Sequence, residues 1–256
     1  MESFEIVIGI HSIIEALKNK KRVHNKLVSD EEGLVEIRSK TPKDIFDTLT
    51  VEIKTSHEVQ EFGKRHYGKL GATFQRIPSN IFLLTARTKI YHRDILEQKI
   101  LDGTFKKMIA LDKVTDVNNI GAIIRTAAFY GVDAIIFARK GEFTLNPTII
   151  RIASGGIEHV TLFQSSNLSK LIDNLQEMGV TCVGLSENAT SDSDVDSIKK
   201  HGNPICLVMG AEDSGISNAV GRILKSTLAL KASGQITTLN VSVATAVVME
   251  KFWGKQ

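Results

Sequence analysis

Only two cysteines occur in 256 residues, Cys182 in VTCVGL and Cys206 in NPICLVMG. Both lie inside apolar runs that read as buried strands, which excludes a disulfide framework and makes both thiols core residues. No apolar run approaches the roughly 18–20 residues that a membrane span needs. The opening Met1-Glu2-Ser3-Phe4-Glu5 is acidic and lacks the basic and apolar regions of a secretory signal. A reducing cytoplasm or an organelle matrix fits both observations, and the cytoplasm is the compartment expected. No GxGxxG follows the first strand of the second half, and neither GxxxxGK[ST] nor GxSxG occurs. These absences exclude the ordinary dinucleotide fingerprint, the NTPase phosphate loop and the hydrolase nucleophile elbow. Asp192, Asp194 and Asp196 begin like a calcium loop, but Ser197 and Asn203 stand where its Gly and Glu belong. The seven histidines show no zinc spacing, so no metal is expected; His11 and His159 read as surface or packing residues.

What is present is ordinary in amount, with 42% hydrophobic and 24% charged residues, the composition of a globular protein with a real core. Net charge is only +3, yet unevenly spread. Residues 1–107 carry 19 Lys and Arg against 15 Asp and Glu, whereas 108–256 carry 13 against 14. Lys18, Lys20, Lys21, Arg22 and Lys26 fall together, as do Lys64, Arg65 and Lys69. Such clusters suit phosphate backbones or simply solvated helix ends, and charge alone does not choose between them.

The chain changes character near residue 108. Before it, Ile10, Ile13, Ile14 and Leu17 mark an amphipathic helix with a basic end, and mixed strand-like and helical pieces continue to about Leu84. Residues 1–85 read as a small α/β domain, and the polar stretch 86–107 as a linker. From 108 to 256 the apolar runs MIAL, AIIF, VTLF, TCVGL, ICLVMG and STLAL alternate with helical patterns. Strands apolar on both sides and separated by helices predict a parallel sheet covered by helices on both faces, an α/β domain. Gly131 and Gly179 stand where a helix C-cap precedes the next strand. Residues 188–202 read as an exposed loop or short helix.

Three segments of this second half carry polar residues and glycines where strands give way to helices. In the first, LDKVTDVNNIGAIIRTA (111–127), a strand ends in a polar loop and a helix starts near Asn118 or Asn119, either of which suits an N-cap. Arg125 follows among apolar neighbours; it either snorkels to water or reaches an anion, since it cannot shed its proton. In the second, LVMGAEDSGIS (207–217), a buried strand meets a glycine turn and Glu212, which serves either a ligand or a helix dipole. In the third, LALKASGQITTLNVSVATAV (228–247), a strand passes through a loop into a helix of small residues, with Thr238 and Asn240 at its start.

In order, spacing and residue type, N-x-G-A-x-x-R-T-A, M-G-A-E-x-x-G-I and L-N-V-S-V-A-T-A resemble the motifs of the SpoU, or TrmH-like, branch of the SPOUT methyltransferases. The resemblance spans essentially all of 108–256 and includes NPTIIRIASGGIEHVTLF. The opening IGIHSIIEALKN resembles the small RNA-binding domain of bacterial ribosomal RNA members of the branch. The resemblance implies a C-terminal trefoil knot, a homodimer, and transfer of a methyl group from S-adenosylmethionine to a ribose 2′-hydroxyl of RNA. The substrate it favours is a guanosine of 23S ribosomal RNA. By motif position, Asn119, Arg125, Glu212, Thr238 and Asn240 form the catalytic group. Gly210, Leu230, Leu239 and Ser186 contact the cofactor. Arg125 is read as fixing a phosphate and stabilising negative charge rather than as a base. The apolar helix ending in Phe252-Trp253 is expected to contribute to the dimer surface. Thr238 stands where the family usually has Ser, Leu230-Lys231-Ala232 where it commonly has I-P-M, and LGATFQ (70–75) where an HQG-type segment occurs.

Three other readings fit parts of the pattern. They are a transfer RNA methyltransferase, a non-catalytic RNA-binding protein with a relic cofactor pocket, and a small-molecule-binding α/β protein. Asn119, Arg125, Glu212 and Asn240 together disfavour the relic, and the third leaves the basic runs unused.

Overall fold

The computed structural model describes residues 4–23, 25–69, 73–74, 76–139, 145–186 and 195–255. The chain divides into two compact units, 1–89 with 144–158, and 90–143 with 159–256.

In the first unit, β1 (Phe4–Ile8), β2 (Lys26–Ser29), β3 (Thr50–Ile53) and β4 (Ile81–Ala86) form a sheet in the order β1-β4-β2-β3. β4 runs antiparallel to β1 and β2, and β3 parallel to β2. Around it lie α1 (Ile10–Lys18), α2 (Glu31–Lys40), α3 (Lys43–Phe46) and α4 (Ser56–Lys69). The helix predicted near the N-terminus is α1, with Ile13, Ile14 and Leu17 buried as its spacing requires. Ile6, Ile8, Val28, Val59, Tyr67 and Phe82 close the core.

The segment 145–158 belongs to this unit, although it lies in the middle of the region read as the second domain. Its helix, α7 (Pro147–Ala153 in the full chain order), is tied by Ser12 Oγ, which donates to Ile150 O at 3.0 Å. A buried ion network is the stronger tie. Arg22 donates to Glu5, to Ala86 O at 2.8 Å, to Thr88 Oγ1 at 2.8 Å and to Glu158 Oε1 at 2.6 Å. Asn19 Nδ2 donates to Glu158 Oε2 at 2.6 Å. An unpaired buried guanidinium is strongly unfavourable, so Glu158 must stay with Arg22. Hydrophobic periodicity carries no sign of such a docking.

The basic run at 18–26 is correspondingly thinned. Arg22 is consumed inside, Lys18 pairs with Glu15 and Lys26 with Glu52, which leaves Lys20 and Lys21 as exposed cations.

The second unit begins before the expected boundary, because 86–107 is not a bare connection. It holds β5 (Ile90–Tyr91) and α5 (Arg93–Leu101), whose Leu96 and Ile100 are buried in the second unit's core. Then follow β6 (Lys107–Asp112), α6 (Val117–Phe129), β7 (Ala134–Ala138), β8 (Thr161–Ser165), α8 (Leu168–Glu177) and β9 (Thr181–Leu185). The chain ends with α9 (Val195–Lys200), β10 (Ile205–Gly210), α10 (Asn218–Gly221), β11 (Ser226–Leu228) and α11 (Val241–Trp253). All six predicted strands form, and with β5 they make one parallel sheet in the order β11-β9-β10-β6-β7-β8-β5.

Met108, Ala110, Cys182, Cys206 and Val208 pack toward α5, α8 and α10. The alternate residues point to the opposite face, where α11 packs on β10 and on α6. Both cysteines are free and buried, and Gly131 and Gly179 have φ of 64° and 85°, as their cap positions predicted. Of the stretch 188–202, residues 195–200 are helical; Asp192 and Asp194 lie outside the described residues, as do 70–72 and Gln75.

The topology itself locates a site. β6 is followed by β7 on one side, whereas β10, its other neighbour, leads to β11 beyond β9. The connections leaving β6 and β10 thus diverge, and a crevice outside the carboxyl ends of such strands is where open α/β sheets bind ligands.

Candidate active site

Asp112 ends β6 buried, and its Oδ2 accepts from Ser217 N at 2.7 Å, which folds the loop after β10 back over the strand end. That loop is closed by reciprocal bonds, Ala211 N to Gly215 O at 3.1 Å and Gly215 N to Ala211 O at 2.8 Å. Gly210 has no room for a side chain: a Cβ there would lie 2.1 Å from the carbonyl carbon of Gly215 and 2.2 Å from Ile216 N. Gly215 turns the loop with φ of 62°.

α6 is capped by Asp116, not by Asn118 or Asn119. One Asp116 carboxylate oxygen accepts from Asn118 N at 3.0 Å and Asn119 N at 2.9 Å. Aspartate caps as well as asparagine, and by taking that role it leaves the Asn119 side chain free within the first turn. Asn240 caps α11, with its Oδ1 accepting from Ser242 N at 2.9 Å and Ser242 Oγ at 2.6 Å.

These caps bring three distant segments together. Asn240 Nδ2 donates to Asn119 Oδ1 at 3.0 Å and to Glu212 Oε1, and Val241 N reaches the same Glu212 oxygen at 3.4 Å. The amide of Asn240 is then fully used. Among the described residues, Asn119 Nδ2 and Glu212 Oε2 keep no partner, so two N–H donors and one acceptor oxygen stay open.

Next to this trio lies a cavity of about 640 Å³, lined by the ends of β9 and β10, the 211–217 loop and residues 230–244. Ser186, Gly210, Leu230 and Leu239 all line it, and Thr238 does too. Thr238 makes no bond to the trio. Arg125 also stands apart: it is exposed, with no hydrogen bond or ion pair among the described residues. Six residues beyond Asn119, at about 100° each, it points roughly 120° away around α6. Of the two readings open for Arg125, the isolated chain has it in water.

Several contributors escaped the sequence reading. Asp112, Asp116 and Ser242 position the others, and Met209, Ile216 and Val241 line the cavity. A carboxylate ending a buried strand was a usable sign for Asp112; nothing in the spacing marked the rest.

Residues 106–250 match the model of the SpoU rRNA Methylase family. The chain belongs to that family. Over 252 residues it is 28% identical to the 23S rRNA (guanosine-2'-O-)-methyltransferase RlmB of Pseudomonas aeruginosa, covering 97% of this chain and 96% of that one. With the RlmB of Acinetobacter baylyi it shares 36% over 163 residues, 60% of this chain and 64% of that one. Among solved structures it is similar to the SpoU methyltransferase AviRb of Streptomyces viridochromogenes in complex with AdoMet. The TM-score is 0.68 at 17% identity, over 97% of this chain and 89% of that chain. The AdoMet-bound rRNA methyltransferase of Sinorhizobium meliloti gives 0.65 at 18%, over 97% and 86%. These two show a shared fold.

The SpoU cofactor is S-adenosylmethionine, and the residues present fit it. The cavity lies within the usual ligand range of about 300–1,000 Å³, at the carboxyl ends of β9 and β10 and beside the switch point, with Gly210 letting the 211–217 loop close as its wall. Gly210→Ala is expected to weaken S-adenosylmethionine binding at least ~10-fold by isothermal titration calorimetry, because the 211–217 loop must move. Unchanged affinity would show that this loop does not form the cofactor wall.

Proposed function

We propose that this SpoU-family chain transfers a methyl group from S-adenosylmethionine to a ribose 2′-hydroxyl of RNA, with a guanosine of 23S ribosomal RNA as its target. The observation that carries the reading is the Asn119–Asn240–Glu212 trio beside a cavity at the carboxyl ends of β9 and β10. When bound, the cofactor supplies an already activated methyl group, so the protein's work is positioning and handling one proton. Asn240 is a positioning residue, since all its polar atoms are engaged within the chain. Asn119 Nδ2 is placed to donate to a ribose or phosphate oxygen, and Glu212 Oε2 to accept from the 2′-hydroxyl. Thr238, Leu239, Leu230, Gly210 and Ser186 enclose the cofactor. Arg125 is assigned to the RNA phosphate beside the reacting ribose, a role its exposure permits.

The ribosomal substrate is favoured by similarity to RlmB over 97% of the chain and by the extra N-terminal unit, which we assign to RNA binding. Lys20, Lys21, Lys64 and Arg65 are among its exposed cations. No helix among the described residues is long and apolar enough to cross a membrane, and a cytoplasmic site of action is proposed. The C-terminal trefoil knot is assigned to the segment from β10 to α11.

A homodimer is part of the same proposal. Phe129 on α6 is 83% exposed, and Val243 and Val247 on the adjoining α11 are 49% and 37% exposed, an apolar stripe of the kind that marks an interface. Phe252 does not share in it, being buried at 3%. Five residues beyond Val247, it points about 140° around α11 from the exposed stripe.

The test is methyl transfer from radiolabelled S-adenosylmethionine to unmodified ribosomal and transfer RNA. Label in ribosomal RNA at an alkali-resistant linkage, falling at least ~100-fold with Arg125→Ala, is the expected result. Label in transfer RNA alone would overturn the substrate, and absence of cofactor binding would overturn the enzyme. Phe129→Glu is expected to shift the protein from dimer to monomer in sedimentation equilibrium; a wild-type monomer would contradict the dimer.

A further inference from the structure

Lys113 directly follows buried Asp112 at the end of β6, at the switch point where the paths from β6 and β10 diverge. Its φ is 60°, in the left-handed region that residues other than glycine, asparagine and aspartate rarely enter. Nothing local rewards lysine there: its side chain is exposed and has no hydrogen bond or ion pair among the described residues. The backbone would be better served by glycine. A long cation has instead been placed at a strained turn between the strand end and the helix that carries Asn119.

The electrostatics of the site supply a reason. The trio of Asn119, Asn240 and Glu212 contains one carboxylate and no cation, although a ribose in RNA arrives flanked by phosphates. Arg125 points about 120° around α6 from Asn119. In the other direction, Gly210 pairs with Asp112 in the register of β10 and β6, so Lys113 emerges beside the 211–217 loop that holds Glu212.

We propose that Lys113 is a substrate-positioning residue that grips an RNA phosphate next to the target ribose. This rests on the reading of the site as an RNA methyltransferase and adds a contact to it. Lys113 takes no part in the proton transfer or in cofactor binding. Its charge holds the backbone of the incoming strand, so the contact is insensitive to base and sensitive to salt.

The test compares wild type, Lys113→Gly and Lys113→Arg in equilibrium binding to transcribed 23S ribosomal RNA across a salt series, alongside thermal melting and calorimetry with S-adenosylmethionine. Glycine at φ of 60° relieves the turn, so Lys113→Gly is expected to melt at or above the wild-type temperature with unchanged cofactor affinity. Its RNA affinity is expected to fall about fivefold and its salt slope by about one, with Lys113→Arg restoring both. A merely structural lysine would lower the melting temperature on replacement and leave the salt slope alone. An unchanged slope and affinity in Lys113→Gly, or a wild type that binds no RNA, would overturn the proposal. RNA binding without methyl transfer would overturn the activity instead, and the slopes would still decide the role of Lys113.

Discussion

Everything in the candidate site depends on one amide. Asn240 caps α11 with its oxygen and spends both hydrogens on Asn119 and Glu212. The three residues come from the ends of different segments, separated by 121 and 28 positions in the chain. The open atoms of the network, Asn119 Nδ2 and Glu212 Oε2, are held in place only while their side chains are not drawn into other duties. Asp116 and Asp112 supply that condition from outside the trio. Asp116 takes over the cap of α6, so Asn119 need not serve it, and Asp112 pins Ser217, so the loop with Glu212 returns over the strand end.

The same economy explains the cavity. Strand order places β6 and β10 side by side with their exits diverging, and the cavity opens next to that point, at the carboxyl ends of β9 and β10. Gly210 lets the 211–217 loop close against the strand end, because the space of a Cβ there is occupied by the backbone of Gly215 and Ile216. Residues 231–240, exposed throughout, form the outer wall and lead into Asn240. Closure of the cavity and the aim of the polar trio are therefore linked through one loop.

The sheet was legible because strands buried on both faces write themselves as continuous apolar runs, and ICLVMG or AIIF admit few other readings. The trio was legible only as three separate motifs; that they meet is a property of strand order, which periodicity does not encode. Helix starts were misplaced by two or three residues at α6 because Asp116, Asn118 and Asn119 are chemically equivalent as caps and only the fold selects one. Residues 86–107 and 145–158 were misread for a shared reason. Their polar, mixed composition conceals a few decisive contacts, Leu96 and Ile100 in one case and Glu158 with Arg22 in the other. A single buried ion pair can decide which unit a segment joins, and it leaves no repeat in the sequence.

The central claim, that Asn119 acts as held by Asn240, is tested most directly by a double-mutant cycle on methyl transfer with Asn119→Ala and Asn240→Ala. Because Asn240 holds Glu212 as well as Asn119, the two losses should overlap in part, with the double mutant retaining at least about tenfold more turnover than the product of the single effects, the non-additivity of residues in one network. Losses that multiply, so that the double mutant falls by the product of the two single effects, would contradict the account and make the two asparagines independent.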